Sequence, residues 1–226
     1  ITTHIFLFTA LSLFLSNKII SQTAIGEWNA HISYNKIISV TGSSDEIYAA
    51  SERGIQIYKT QENHYQTLTT VKGLAEADIS EIFYSSEHDM LCIGYQSGNL
   101  DIFENEKVTN FPQIYEQTIY KEKTINDIIE DESKLYLATD FGILEFNGFT
   151  DNFGTTYSLE EGQNFTVYGL ALSDTYIYAA SEQGVYIANR SDNLAQPANW
   201  SRMNFLPEFE SPFNCIVSLN DDIIVN

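Results

Sequence analysis

Carboxylates are the residues of this chain whose number and spacing most suggest chemistry. The 226 residues include 31 aspartates and glutamates against 11 lysines and arginines, a formal net charge of −20. Adjacent carboxylates occur at Glu130-Asp131-Glu132, Glu160-Glu161 and Asp221-Asp222. Glycoside hydrolysis needs two carboxylates about 5–10 Å apart across a cleft, whereas neighbouring residues on a strand point to opposite faces. We expect solvated turn residues at these positions, and a glycosidase or lyase ranks third among the function classes.

Histidines and short motifs give no stronger indication of catalysis. The four histidines, His4, His31, His64 and His88, form no HExxH pair or other close-spaced ligand set in the sequence. The triplet Asp140-Phe141-Gly142 matches the metal-binding element of kinases, but this sequence has no glycine-rich loop, strand lysine or catalytic loop to accompany it. We therefore predict no catalytic residue, no metal site, no cofactor and no enzymatic activity.

One aromatic cluster is a weak candidate for binding. Trp28, His31 and Tyr34 lie close together in the sequence, and aromatic residues around an imidazole suit stacking against a glycan. Such a cluster more often packs against the edge of a sheet with its polar atoms satisfied. Other places to look for a binding site are the inter-strand connections at residues 43–46 and 87–89 and at Asp174, because binding residues of propellers concentrate in loops.

The elements that must position these residues form a repeat. A unit made of an apolar run, a polar turn with glycine and a second apolar run occurs four times, as in IYAASERGIQIY from Ile47. Its glycines, which can adopt positive φ in the turn, follow at intervals of 44, 44 and 42 residues: Gly54, Gly98, Gly142 and Gly184. A period of about 40–45 residues with short strands indicates propeller blades. We predict an all-β β-propeller with four complete blades and part of a fifth.

Each blade should contain four strands. An apolar segment precedes each hairpin, beginning at Ile37, Ile79, Ile125, Val167 and Phe213. A less regular outer strand follows the hairpin, for example after His64 and after Asn199. The second repeat is two residues longer, which places an insertion at about residues 86–89. The first and last sheets should expose apolar faces, because a blade buries its faces only against its neighbours.

The beginning of the sequence resembles an export signal. Residues 5–15, IFLFTALSLFL, are too few to span a bilayer but match the apolar core of a signal peptide. We assign residues 1–21 to a signal peptide and residues 22–226 to the propeller. The negative charge excludes nucleic acid as a partner class, since phosphates would be repelled. Cys92 and Cys215 lie in non-adjacent blades, so we expect both to be small buried residues without a disulfide.

Several segments carry a family resemblance. The opening GEWNAHISYNKIISV at residues 26–40 and the stretch TTVKGLAEADISEI at residues 69–82 resemble the N-terminal propeller of the PorZ family of type IX secretion proteins. The VKGL element within the second stretch also resembles the propellers of two-component regulators. The positions of Trp28, His31 and Tyr34 in the opening favour the first resemblance.

The resemblance implies a non-enzymatic role. PorZ-like proteins have two successive propellers and a C-terminal β-domain, and they act at the outer-membrane surface with the sortase that attaches cargo to anionic lipopolysaccharide. The resemblance also implies that the partners are the sortase or other secretion proteins. Anionic lipopolysaccharide is then a ligand that the protein presents to the sortase. The alternative is a periplasmic sensor propeller of a two-component regulator.

Overall fold

The computed structural model describes residue 30, residues 32–147, residue 150, residues 152–219 and residues 222–226. The proposed signal peptide, residues 1–21, lies outside the described residues, as do Trp28 and His31. The repeats fall in one compact unit, Ile32–Asn226. No helix among them is long or apolar enough to cross a bilayer.

Antiparallel strands make up almost all of the regular structure in the described residues. In blade 1 the strands are β1 Ser39–Gly42, β2 Glu46–Ser51, β3 Gly54–Lys59 and β4 His64–Leu68. Blade 2 contains β5 Ile79–Ser85, β6 Met90–Tyr95, β7 Leu100–Glu104 and β8 Lys107–Phe111. Blade 3 contains β9 Ile125–Asp131, β10 Lys134–Thr139, β11 Gly142–Asn147 and β12 Asn152–Tyr157. Blade 4 contains β13 Val167–Leu172, β14 Tyr176–Ser181, β15 Gly184–Asn189 and the short β16 Ser201–Arg202, and a fifth sheet pairs β17 Ile216–Leu219 with β18 Asp222–Val225.

The order of the strands is that of a propeller. Each of the first four sheets follows chain order from β1, β5, β9 or β13 to its outer strand, and every pairing is antiparallel. The leading strands β1, β5, β9, β13 and β17 pack against one another in succession. The fold predicted from the repeat is therefore confirmed. Two 3-10 helices, Thr70–Lys72 and Pro197–Asn199, complete the regular elements described.

Apolar side chains of neighbouring sheets interlock to form the core. Between blades 1 and 2, Ile55, Ile79 and Ile93 are almost fully buried in one cluster. Equivalent clusters lie between blades 2 and 3 and between blades 3 and 4. Because full burial of such a side chain stabilises by about 1.5–3 kcal/mol, these clusters hold the blades in fixed positions relative to one another. The turns at the blade ends are thereby fixed as well.

The outermost sheets show the apolar exposure expected of them. Val40 in β1 is 61% exposed, and in the fifth sheet Leu219 is 58% exposed and Ile224 is 50% exposed. The side chains that correspond to Val40 in blades 2 to 4, Ile82, Ile128 and Leu170, are buried in the clusters described above. These faces are thus apolar surfaces of the described unit.

The glycines of the repeat turns serve two different needs. Gly98, Gly142 and Gly184 have φ of 83°, 124° and 121°, a region that favours glycine. Gly54 lies outside this region, and its turn favours small size instead, because a Cβ there would lie 3.0 Å from the Leu68 carbonyl oxygen. Positive φ therefore explains the glycine at three of the four turns.

Two smaller predictions have different outcomes. The turn between β5 and β6 spans residues 86–89, whereas the turn between β9 and β10 has only residues 132 and 133, so the insertion lies where it was predicted. Cys92 is buried, as expected. Cys215 is exposed, so its prediction was wrong. It directly precedes β17 in the fifth sheet, where few described residues cover it.

Candidate functional site

Two grooves lie at equivalent positions of the repeat, where turns of adjacent blades meet. The first, here called the acidic groove, has a volume of about 410 Å³ and lies between the β1–β2 turn of blade 1 and the β5–β6 and β7–β8 turns of blade 2. The second, here called the arginine groove, has a volume of about 570 Å³ and lies between the corresponding turns of blades 3 and 4. Each contains a tyrosine from the second strand of its first blade, Tyr48 and Tyr136 respectively.

Local turn chemistry fixes the walls of the acidic groove. In the β1–β2 turn, the Ser43 amide donates to the Glu46 carbonyl at 2.8 Å, and the Ser43 hydroxyl accepts from the amides of Asp45 and Glu46 at 3.1 and 3.0 Å. In the β7–β8 turn, Asn105 and Glu106 have φ of 50° and 60°, as in a two-residue type I′ hairpin. Both turns are therefore rigid and hold their carboxylates at the groove.

Five carboxylates line this groove, and two of them accept hydrogen bonds from tyrosines. The five are Asp45, Glu46, Asp89, Glu104 and Glu106. The Tyr48 hydroxyl donates to Glu46, and the Tyr84 hydroxyl donates to Asp89 at 2.5 Å. The hydrogen bond with Asp89 raises the pKa of Tyr84 to about 12, and burial raises the pKa of Tyr48, so both phenols keep their protons. The two rings are stacked, with centroids 5.9 Å apart and planes at 17°.

A single lysine from blade 1 offsets part of this charge. The Lys59 ammonium lies 2.9 Å from a Glu106 oxygen and 3.4 Å from a Glu46 oxygen, so it bridges the two blades at the rim. Asp45, Asp89 and Glu104 form no ion pair that involves this lysine. The groove accordingly keeps a strong net negative charge.

The arginine groove contains its own cation. The Arg190 guanidinium forms a two-point interaction with Asp131, in which its Nε donates to Oδ2 at 3.0 Å and Nη2 donates to Oδ1. Its Nη1 donates to the carbonyl oxygens of Ser173 and Asp174 at 2.9 and 3.3 Å. Asp131 belongs to blade 3 and Arg190 to blade 4, so the guanidinium joins the two blades. The hydrogen bond with Asp131 raises the pKa of Arg190 further.

Two partly buried carboxylates lie on the leading strands of the same blade pairs. Glu81 accepts a hydrogen bond from the Ser39 hydroxyl of blade 1, and Asp127 accepts from the Leu170 amide of blade 4 at 2.7 Å and from the Ile128 amide at 2.8 Å. Burial is the main cause that raises the pKa of Glu81 to about 7; hydrogen bonds from Ser39 and the Ile82 amide oppose the shift, and the nearby Asp127 charge adds to it. Burial also raises the pKa of Asp127, to about 6, although its two backbone hydrogen bonds oppose the shift. Both residues connect neighbouring blades.

Two carboxylates of the acidic runs, Glu160 and Asp131, have structural partners, and Asp131 ends strand β9 instead of lying in a solvated turn as expected. Glu160 accepts from the hydroxyl of Tyr186 and from Arg202 Nη2 at 2.6 Å, and these contacts lower its pKa. Asp131 is paired with Arg190 as described, and Asp221 lies outside the described residues. No group of three or more histidine, cysteine, aspartate or glutamate side chains in the described residues is arranged to hold a metal ion.

Asp140, the first residue of the kinase-like triplet, is likewise a turn residue. Its carboxylate accepts from the Thr124 amide at 2.8 Å and from the Asn126 amide group at 3.2 Å. These bonds link the start of β9 to the β10–β11 turn of the same blade, which contains Asp140.

Of the aromatic cluster near residue 30, the structure describes only Tyr34. Tyr34 lies in an irregular segment before β1 and is half buried, and burial raises its pKa. Among the described residues its buried hydroxyl has no hydrogen-bond partner. The grouping with Trp28 and His31 remains a prediction.

The sequence indicated the location of the two grooves but not their chemistry. Of the connections that the sequence suggested as places to look, residues 43–46, Asp89 and Asp174 line the grooves. Residues 87 and 88 of the same suggestion do not line them. Sequence reasoning missed Tyr84 and Arg190. The available signal for Arg190 was its position as the first residue after the third strand of its blade, where the second blade has Asn105.

Comparison with known proteins places the fold in a family. The family described as TSS9, PorZ, N-terminal beta-propeller domain matches residues 47–201. The structure of PorZ, a bacterial surface component of the type IX secretion system of Porphyromonas gingivalis, is similar with a TM-score of 0.74 and 23% identity, and the match covers 88% of this chain and 26% of that one. The chain thus spans about a quarter of that protein's length. A search of curated proteins finds no match.

Other propellers share the fold at lower identity. The extracellular domain of a putative hybrid two-component system of B. thetaiotaomicron has a TM-score of 0.62 and 16% identity, over 80% of this chain and 24% of that one. The WD40 propeller domain of Doa1 has a TM-score of 0.59 and 16% identity, over 84% of this chain and 60% of that one. Since the family match covers most of the repeats, this chain belongs to the PorZ N-terminal β-propeller family of the type IX secretion system.

Proposed function

We propose that the propeller is a non-enzymatic docking module of an exported type IX secretion accessory protein, and that its partner is the cell-surface sortase. The family match supports a place in this secretion system. The protein would then act at the outer-membrane surface, where cargo is attached to lipopolysaccharide.

The acidic groove is the observation that carries the choice of a protein partner. Five carboxylates face one groove between blades whose relative position is fixed by a buried core. An anionic lipopolysaccharide would be repelled there, whereas a protein surface with basic residues would be attracted and guided to it. Lipopolysaccharide presentation would therefore need a second surface, and docking is the function that this propeller supports best.

The absence of catalysis forms part of the same proposal. Glu46 and Asp131 are engaged within the chain, Glu46 by Tyr48 and Asp131 by Arg190. A general acid or base must instead be available to a substrate. These contacts favour a structural and recognition role for both grooves.

Titration calorimetry with purified components tests this function. The full-length protein should bind the purified sortase with a 1:1 stoichiometry in calorimetry, and the affinity should fall as salt rises because the contact is electrostatic. Lipopolysaccharide from the same cells should bind more weakly to the isolated protein than to the complex of the protein with the sortase. Sortase that fails to bind at low salt would disprove the docking proposal.

A sensor role is the second candidate. The similarity to the extracellular domain of a two-component system supports it at the level of the fold. In that case the propeller would be periplasmic, and the complete gene would encode a membrane helix and a kinase downstream. Sequencing of the complete reading frame distinguishes the two, since the secretion role requires a second propeller and a C-terminal β-domain.

A further inference from the structure

A third cavity, here called the outer cavity, lies between the blade 2–blade 3 connection at residues 112–124 and the outer strands of blade 3. Its volume is about 280 Å³, and Ile114 and Tyr120 of the connection face Phe153 of β12 across it. None of the described residues that line it is charged, whereas carboxylates line both grooves. In a chain with a net charge of −20 the outer cavity is therefore a neutral, largely apolar surface.

One wall of the outer cavity is held in place by contacts within the chain. The Lys123 ammonium donates to the carbonyl oxygens of Tyr115 and Gln117 at 2.6 and 2.9 Å, which fixes the shape of the connection. The Tyr120 ring stacks on the buried Phe141 ring of blade 3, with centroids 4.0 Å apart and planes at 9°. The cavity is thus preformed.

The opposite wall belongs to a strand that ends its sheet. Strand β12 is the outermost of the four strands of blade 3, and β11 is its only partner among the described strands. Its six residues, NFGTTY, include no charge and no proline. An edge strand presents unpaired N–H and C=O groups, and proteins usually protect such an edge with lysine, proline or a covering segment. The edge of β12 is therefore available to a further strand.

The outer strands of the other blades differ from β12. Strand β8 begins with Lys107, and β16 has only two residues. Strand β4 also lacks lysine and proline, but its residues line neither the two grooves nor the outer cavity. Strand β12 combines a long uncharged edge with a cavity that can accept a side chain of an added strand, and β4 provides a matched control.

An uncharged segment of another protein is the occupant that fits this edge. The register between β11 and β12 shifts between Leu144 and Phe146, and a bulge of this kind disfavours open-ended extension of the sheet. A second copy of this chain would bring together two molecules with a net charge of −20 each, which repel one another. A neutral segment meets no such repulsion, and the cavity offers it no charge that would have to be paired.

We propose that β12 accepts an extended, uncharged segment of a partner protein as a fifth strand of blade 3, with one apolar side chain of the segment in the outer cavity. Main-chain hydrogen bonds with the edge supply affinity, and the cavity selects a side chain such as leucine. The site goes beyond the docking function. Its lining includes Phe141 of the β10–β11 turn, whereas the arginine groove is lined by the β9–β10 turn at the other end of β10.

Synthetic peptides test strand addition with the full-length protein. The probe is a fluorescent nonapeptide of threonine and serine with a central leucine, and we expect saturable 1:1 binding that changes little with salt, because the site is uncharged. A peptide with central asparagine should bind at least fivefold more weakly. A peptide with methyl groups on its five central backbone nitrogens should bind at least tenfold more weakly. No saturable binding of the leucine peptide, or equal binding of the methylated one, would overturn the proposal.

Matched charge variants locate the site. Ile119 lines the outer cavity and is 75% exposed, so Ile119→Glu should preserve the fold and weaken binding of the leucine peptide at least tenfold. Tyr65 lies on β4 and is 65% exposed, so Tyr65→Glu adds the same charge at a comparable surface and should change binding by no more than about twofold. Equal losses in the two variants would mean a general charge effect and would refute a specific site.

Hydrogen exchange identifies the strand that is extended. The bound leucine peptide should slow exchange of backbone amides in β12 and leave those of β4 unchanged, and protection of β4 instead of β12 would refute the proposal. The sortase titration described above does not use this probe. The docking function can therefore fail while strand addition is confirmed, and strand addition can fail while docking is confirmed.

Discussion

The acidic groove and the arginine groove have the same backbone origin and opposite ways of handling charge. At the junction of blades 3 and 4, Asp131 is neutralised by Arg190 of the same chain. At the junction of blades 1 and 2, the equivalent positions hold Ser43 and Asn105, and the carboxylates are gathered around a tyrosine pair. Asp131 is thus paired within the chain, whereas no lysine or arginine of the described residues forms an ion pair with Asp45 or Glu104 of the acidic groove.

This difference shows how a repeat acquires a site. Buried apolar clusters between blades fix where the turns meet, so both grooves exist whatever their lining. Exposed turn residues can change with little effect on the core, and substitutions away from special features usually alter stability by under about 0.5 kcal/mol. Charge at these few positions therefore determines whether a blade junction is structural or available for recognition.

The largest effect is expected from removal of the internal cation. Arg190→Ala leaves Asp131, whose side chain is only 14% exposed, without its partner and should destabilise the junction of blades 3 and 4 by about 3 kcal/mol. Native-state hydrogen exchange of β13 and β14 in the full-length protein measures this loss. Unchanged protection in β13 would show that the ion pair contributes nothing to the junction.

Conservative replacement provides the control for this prediction. Arg190→Lys keeps the charge but cannot reproduce the two-point contact with Asp131, so its loss should be about half as large. Asn105→Ala at the equivalent position of the acidic groove removes no ion pair. It should cost about 1 kcal/mol, because alanine tolerates the φ of 50° less well than asparagine, and a loss as large as that of Arg190→Ala would contradict the comparison.

A smaller effect, dependent on pH, should distinguish the leading strands of the same junctions. The pKa of Glu81 is raised to about 7 in the folded protein, so the folded state binds more protons than the unfolded state between about pH 4.5 and 7. Stability should therefore fall as pH rises through this window. Glu81→Gln keeps an acceptor for Ser39 without the buried charge and should gain about 2 kcal/mol at pH 8 but almost nothing at pH 5.

Asp127 is the matched comparison for Glu81. Its two oxygens accept separate amide hydrogen bonds, from Ile128 and Leu170, and an asparagine could accept only one of them. Asp127→Asn should therefore lose one hydrogen bond while it removes the partly buried charge. The free energy of unfolding at pH 8 should not increase. Urea denaturation at pH 5 and pH 8 measures both variants, and equal gains for both would refute this account of the junctions.

Much of the fold follows from the sequence because the repeat is regular. The glycine intervals and the apolar runs predict the blades, the strand order and the insertion at residues 86–89, since strand periodicity and turn residues are local signals. Cys215 was misjudged because its burial depends on which residues cover the fifth sheet. That is a property of tertiary packing and leaves no local pattern.

The chemistry of the grooves could be predicted less well for a physical reason. Asp131 and Arg190 are 59 residues apart, and Tyr48 and Tyr84 meet only because blades 1 and 2 pack together. Runs such as Glu130-Asp131-Glu132 drew attention in the sequence, but their partners come from other blades. Counted from the repeat glycines, Arg190 would align with Glu104, so its equivalence with Asn105 follows only from the strand pairing.

The smallest expected effect comes from moving the ion pair between grooves. Ser43→Asp with Asn105→Arg introduces the pair of the arginine groove into the acidic groove. Asn105 has a φ of 50°, so arginine there costs about 1 kcal/mol by itself, which offsets the gain from the new ion pair. A double-mutant cycle removes this cost and should give a favourable coupling of about 0.5–1 kcal/mol, as for partly exposed pairs. A coupling of zero would mean that the β7–β8 turn directs residue 105 away from the position that Arg190 occupies, and that the equivalence of the two grooves ends at their backbones.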